Sequence, residues 1–308
     1  MRAQAARTSR DAELAVQPII DTDLSLRHKR RALAQPVAGA DFLMRRVAED
    51  LGDRLATVGR TFDEAAALFC LTEDARKTVL ASGKTVMVTR VEADPALLGE
   101  TAGLVAAPET VPFGSESLDL AVSLLTLHEA NDIPGVLVQI RRALRPDGLF
   151  LGAMAGSGTL AELRESLLLA ESELSGGASP HIIPFADVRD VGALLQRAGF
   201  ALPVADVETV TVRYSDMFAL MRDLRAMGAT SALTDRPRRF TPRTMFLRAA
   251  QVYAERFSDP DGRIRATFSI VWMSGWAPAP TQQKPLRPGS AKASLAEALR
   301  APKGGGPA

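Results

Sequence analysis

The chain is poor in the residues that build most covalent and metal-centred sites. Its 308 residues include one cysteine, Cys70, and three widely separated histidines, His28, His128 and His181. A single cysteine excludes an internal disulfide and any cysteine-cluster zinc or iron–sulfur centre, and the histidines show no metal-binding repeat. An excess of charge of either sign is missing as well. The net charge of +1 gives no electrostatic ground for nucleic acid or an anionic membrane as partner. No uninterrupted apolar run approaches the roughly 20 residues of a membrane-spanning helix. What remains is a 46% hydrophobic composition, enough for one large domain with a real core. A cytoplasmic, reducing compartment is the default expectation.

The most informative stretch runs from Pro108 to Gly158. A polar turn over Gly114–Ser117 leads into Leu118–Leu125, an apolar run short enough for a strand covered on both faces. Asn131 or Asp132 can cap a helix with Pro134 in its first turn. Val136, Leu137, Ile140, Ala143 and Leu144 then recur at helical spacing. Arg145-Pro146-Asp147-Gly148 makes a tight turn before a strand over Leu149–Met154. Strand, crossover helix and strand form a βαβ unit and predict a parallel sheet.

Upstream, an amphipathic helix is expected over Asp41–Leu55, and Ala65–Cys70 is the candidate first strand. A helix over Glu73–Ala81 capped by Thr72, a second strand over Thr85–Val91 and a short third strand over Gly103–Ala107 follow. Downstream, helices are expected over Leu160–Leu174, Pro184–Gly199, Met217–Gly228 and Arg243–Arg256. Strands are expected over Val204–Tyr214 and Ile264–Trp276. The basic run Arg27-His28-Lys29-Arg30-Arg31 reads as a solvated helix face. Residues 1–22 read as a disordered N-terminus and 23–277 as the domain. Residues 278–308, with six prolines and a terminal Gly-Gly-Gly-Pro, read as a largely disordered tail.

The segment "VPF…SLDLAVSLLTLHEANDIPGVLVQIRRALRPDGLFLGAM" resembles the fourth and fifth strands of class I S-adenosylmethionine-dependent methyltransferases. Further on, "GAMAGSGTLAELRESLLLAESELSGGASPHIIPFADVRDVGALLQRAGF", "VRYSDMFALMRDLRAMG" and "YAERFSDPDGRIRATFSIVWMSGW" resemble the methyltransferase-like family of mitochondrial complex I assembly factor 5. The chain is similar to an alphaproteobacterial member. The resemblance implies an α/β fold with a doubly wound, mostly parallel seven-stranded sheet, and helical cap insertions at 159–200 and 215–257. It implies S-adenosylmethionine as cofactor and a complex I subunit as partner. In mitochondria the family is associated with arginine hydroxylation.

One motif departs from that pattern. Class I methyltransferases place a glycine-rich turn of the form (D/E)xGxGxG after the first strand, where glycine takes positive φ and lets the backbone approach the ligand. Here Leu68–Arg76 holds no glycine. The resemblance leaves Glu73 to meet an ammonium group, Glu92 and Asp94 at the end of the second strand to meet ribose hydroxyls, and Glu109 near the third strand as a further cofactor contact. His128, just past the fourth strand, is the candidate catalytic base. His181, on a Gly/Pro-rich loop, is the second catalytic candidate, facing substrate. Three functions follow: a methyltransferase-like enzyme acting on or assisting assembly of a complex I subunit; a non-catalytic assembly module that has lost its cofactor loop; and a methyltransferase of a small molecule such as a quinone precursor.

Overall fold

A computed structural model of the chain describes residues 17–238 and 240–282. Of the N-terminal extension expected over 1–22, residues 1–16 lie outside the described residues, as do residues 283–308 of the tail expected over 278–308. The described residues up to Pro278 form one compact unit. Ile20, within the span read as an N-terminal extension, is buried and bridges Leu233. Asp21 caps the first helix, α1 (Thr22–Ala34), accepting from Leu24 N–H at 3.0 Å. The helix α2 (Phe42–Ala56) leads to the sheet.

The sheet begins with β1 (Ala65–Leu68), α3 (Asp74–Ala81), β2 (Val88–Glu92), the single turn α4 (Pro95–Leu98) and β3 (Gly103–Val105). It continues with β4 (Leu118–Leu124), α5 (Ile133–Ala143) and β5 (Leu144–Ala155). The remaining elements are α6 (Ala161–Ser175), α7 (Val188–Arg197), β6 (Ala201–Tyr214), α8 (Met217–Ala226), α9 (Arg243–Phe257) and β7 (Ile264–Trp276). Seven strands lie in the order β3-β2-β1-β4-β5-β7-β6. The first five are parallel, and β7 runs antiparallel to both β5 and β6. This is the doubly wound, mostly parallel sheet that the sequence predicts.

Side-chain alternation along the strands makes two core layers. Ala66 and Leu68 of β1 pack with Val136, Leu137 and Ile140 of α5 and Val191 and Leu195 of α7. Ala65 and Ala67 face the other way, onto Leu51 and Leu55 of α2 and Val79 of α3. A third cluster joins α6, α8 and α9 to the far ends of β6 and β7 through Leu163, Leu167, Leu220, Tyr253 and Phe268. That cluster is the cap.

Local side-chain chemistry accounts for the differences from the sequence reading. Residues 85–87 stay out of β2 because Thr85 Oγ1 accepts from Met87 N–H at 3.3 Å, a turn bond that competes with the ladder. The helix expected from Pro184 begins at Val188, where Asp187 accepts from Arg189 N–H at 2.8 Å, and it packs on the sheet rather than in the cap. Asp132, not Asn131, caps α5, taking Gly135 N–H at 2.8 Å. Glu73 occupies the cap position of α3, with Thr72 Oγ1 bonded instead to the Asp74 carboxylate at 2.7 Å. The turn 145–148 is a bulge within β5, whose register on β4 jumps between Leu118 and Leu120.

Candidate functional site

In an open α/β sheet, ligands bind outside the carboxyl ends of the strands where the winding reverses. Here that point lies between β1 and β4. The loop leaving β1 keeps a backbone conformation suited to glycine while carrying large side chains: Phe69 and Leu71 have φ of 53° and 61°. Phe69 N–H donates to Val91 O at 2.7 Å, which ties the loop to the end of β2. A cavity of about 70 Å³ lies beside it, lined by Phe69, Leu71, Glu92, Leu97, Glu109 and Glu129 among others, and the loop residues Leu71, Thr72, Glu73 and Asp74 also border a much larger one.

Behind that wall, Arg90 of β2 points its side chain into the same end of the sheet. It is 2% exposed. Its Nη1 donates to Leu98 O at 3.1 Å, and its Nη2 to Leu97 O at 3.1 Å and to Glu92 Oε1 at 3.2 Å. The guanidinium therefore staples α4 to β2 and holds the carboxylate named for the ribose. Burial pushes the Glu92 carboxyl up to about 7, with Arg90 opposing that rise.

The other proposed cofactor contacts are likewise engaged. Asp94 caps α4 through Ala96 N–H at 2.9 Å and pairs with Arg30 of α1 at 3.0 Å. Glu73 pairs with Lys77 one turn along α3 at 2.9 Å, and that bond holds its carboxyl below the usual range. Glu109 spends both oxygens on backbone, taking Asn131 N–H at 2.8 Å and Asp132 N–H at 3.0 Å. Asp119 orders the start of β4, accepting from Glu64 N–H at 2.9 Å and pairing with Arg145 at 2.8 Å.

The two histidines open on a second, much larger cavity of about 1130 Å³ beneath the cap. His128 sits in a single 3₁₀ turn, Leu127–Glu129, with its ring against Phe185 at 5.8 Å between centroids. Its Nδ1 lies 3.3 Å from Ala155 N–H. A backbone N–H can only donate, so Nδ1 is an acceptor and the proton resides on Nε2. Burial lowers this imidazole to about 4. In this arrangement Nδ1 is occupied and the imidazole neutral, so His128 presents Nε2–H as a hydrogen-bond donor. His181 Nε2 meets Glu171 Oε2 at 3.0 Å, and Ser179 N–H donates to the same carboxylate at 2.7 Å. Burial raises the Glu171 carboxyl, and these bonds outweigh it to leave the group below its usual range. His181 thus borders the cavity as part of a clamped loop.

Sequence reasoning missed the wall common to both cavities, which is α1. Ser25 Oγ donates to Glu129 Oε2 at 2.6 Å and Lys29 pairs with the same oxygen at 2.7 Å. Burial works against the Glu129 charge, and Lys29 reverses the effect, holding the carboxyl low. His28 Nδ1 lies 3.0 Å from Thr230 O of the loop after α8. Part of the basic run read as solvated is therefore turned inward across the carboxyl ends of the strands. Among the described residues no group of acidic, histidine or cysteine side chains could hold a metal ion. No helix among them is long and apolar enough to cross a membrane.

A family model described as a methyltransferase domain matches residues 69–152. The mitochondrial arginine-hydroxylase NDUFAF5 of Danio rerio is 37% identical over 287 residues, covering 89% of this chain and 88% of that protein. Its human counterpart is 39% identical over 288 residues, covering 91% and 83%. A malonyl-[acyl-carrier protein] O-methyltransferase of Laribacter hongkongensis is 39% identical over 181 residues, or 59% of this chain and 58% of that one. Among solved structures, the YcgJ protein of Bacillus subtilis superposes with a TM-score of 0.51 at 12% identity, over 75% of this chain and 99% of that one, which shows a shared fold. The NDUFAF5 matches cover about nine-tenths of the chain, and on their strength the chain belongs to the NDUFAF5 family of methyltransferase-like proteins.

Proposed function

We propose that this protein assists assembly of a respiratory complex I subunit as a binding module, without S-adenosylmethionine in the crevice. The partner follows from the family, which the sequence resemblance links to building NADH:quinone oxidoreductase. The proposed compartment is the cytoplasm; the relatives named above are mitochondrial by name.

The observation that carries this reading is the glycine-free loop after β1, with Phe69 and Leu71 at positive φ. Sites for molecules of cofactor size run to roughly 300 Å³ or more. The cavity beside Phe69, Leu71 and Glu92 measures about 70 Å³, and only the larger one under the cap, which Leu71–Asp74 also border, reaches that size. Cβ atoms stand where a glycine turn would admit the ligand, and Arg90 holds the carboxylate meant for the ribose. On this reading the loop and the engaged carboxylates do not grip S-adenosylmethionine as a glycine turn would, so no step is derived through it. The chemistry available to the chain is recognition, by a cap and a crevice wall held rigid by α1.

Complementation in a deletion strain tests the reading. Ala130 borders the small cavity and is half-buried. Ala130→Leu is expected to fill that space and still restore full NADH:quinone oxidoreductase assembly on native gels, because nothing needs to bind there. A variant that melts like the parent yet loses assembly would show that the small cavity takes a ligand the function requires.

A further inference from the structure

The strand β6 ends the sheet: it pairs with β7 on one side and with no strand on the other among the described residues. In an antiparallel ladder alternate residues turn their N–H and C=O groups outward. The free side of β6 therefore offers a row of unpaired donors and acceptors. Its first residues are unsuited to pairing. Leu202 is left-handed at φ 48°, Pro203 has no N–H, and the register on β7 breaks between Ala201 and Val204. From Val204 to Tyr214 the ladder is unbroken. Sheet edges are commonly blunted by lysine, proline, bulges or free charges. Here the charges are already tied within the chain: Asp206 to Arg54 at 2.6 Å, Glu208 to Arg46, and Arg213 to Asp259 at 2.7 Å. Val207, Thr209, Thr211 and Arg213 are exposed along one face, while Val210 and Val212 pack into the cap cluster.

We propose that this edge pairs with the same edge of a second copy, antiparallel about a two-fold axis at Val210. The sequence there is self-complementary. Residues paired across the axis must share a face of the sheet, and Thr209-Val210-Thr211 reads the same in both directions. Thr209 meets Thr211 of the second copy, twice over, and opposed threonines are a favourable cross-strand pair. Val210 meets its own equivalent, Glu208 meets Val212, and Val207 meets Arg213. No like charges stand opposite one another. Centring on Val207 instead would set Asp206 against Glu208, two carboxylates face to face. With the axis at Val210, pairing runs from Asp206 to Tyr214 on both copies and joins two seven-stranded sheets into one. A two-fold contact of this kind uses up the β6 edge on each copy, so association through it closes at the dimer.

None of the residues named at the crevice takes part, so the test is independent of cofactor and of complex I. Sedimentation equilibrium of the full chain over a range of concentrations is expected to show a reversible monomer–dimer equilibrium. Thr209→Lys with Thr211→Lys sets lysine against lysine twice and should weaken the dimer roughly tenfold or more. Thr209→Lys with Thr211→Glu in one chain sets lysine against glutamate twice and should restore it. Both positions are exposed, and melting curves confirm that each variant folds. Should the double lysine variant not fold, Thr209→Glu with Thr211→Glu makes the same test. A monomer at every concentration, a dimer indifferent to like charges at both positions, or a Thr209→Lys, Thr211→Glu chain that stays dissociated would overturn the assignment.

Discussion

Glu92→Gln is expected to expose a pH dependence of stability that the native chain largely cancels. Burial raises the Glu92 carboxyl from an ordinary value near 4.5 to about 7 in the fold. Its folded form therefore holds a proton that the unfolded form has lost. Its contribution to stability is full below about 4.5 and is lost as pH rises through about 7. His128 works in the opposite sense, lowered by burial from 6.5 to about 4. Its contribution is full above about 6.5 and is lost as pH falls towards 4. Each displacement corresponds to about 3 kcal/mol. Between roughly pH 4.5 and 6.5 the two slopes oppose one another. In Glu92→Gln the His128 slope, to which His28 adds in the same sense, is no longer opposed by this carboxyl, and stability should fall as the solution is acidified through that window. In His128→Gln the carboxyl slope is no longer opposed by this histidine, and stability should rise on acidification. Urea melts at pH 5, 6 and 7 measure both. Parallel profiles for the two variants would mean that neither group is held as the structure shows.

Arg90→Met is expected to produce the largest loss of stability of any single change at the site. It removes the only ion-pair partner of Glu92 among the described residues and the donors to Leu97 O and Leu98 O. Breaking a buried pair from one side costs about 3–5 kcal/mol, because a buried charge is left without compensation. The damage should be greatest at pH 8, where Glu92 is ionised, and smaller at pH 5.5, where a proton neutralises it. Arg90→Met combined with Glu92→Met replaces the pair with apolar side chains and should recover most of the loss. Thermal melts of the single and double variants at both pH values test the coupling. Equal and additive losses would show that the pair does not act as a unit.

The sheet was largely legible because its signals are local. Asp132, Pro134 and the spacing of Val136, Leu137 and Ile140 define α5 without reference to anything distant. Ile264–Trp276 announces a strand by composition and is one. The site was legible mainly as an absence: no glycine follows β1. What fills the gap was hidden, because it depends on contacts far apart in sequence. Nothing local says that Arg90 turns towards the carbonyls of Leu97 and Leu98. Nothing in Arg27–Arg31 says that Lys29 crosses to Glu129, 100 residues away in sequence, or that Arg30 crosses to Asp94. The role of His128 turns on Ala155 N–H, a contact that β5 provides only once the sheet has formed. The carboxylates at 73, 92, 94 and 109 were found where strand ends predict them. Their chemistry was spent on neighbours that the sequence does not reveal.

Titration calorimetry of S-adenosylmethionine into protein freed of carried-over ligand tests the central claim most directly. A β1 loop built from Phe69 and Leu71 in place of glycines, with Glu92 held by Arg90, predicts a Kd weaker than about 1 mM, under ~4 kcal/mol of binding free energy. Saturable binding in the micromolar range would contradict it and return the protein to the active methyltransferases.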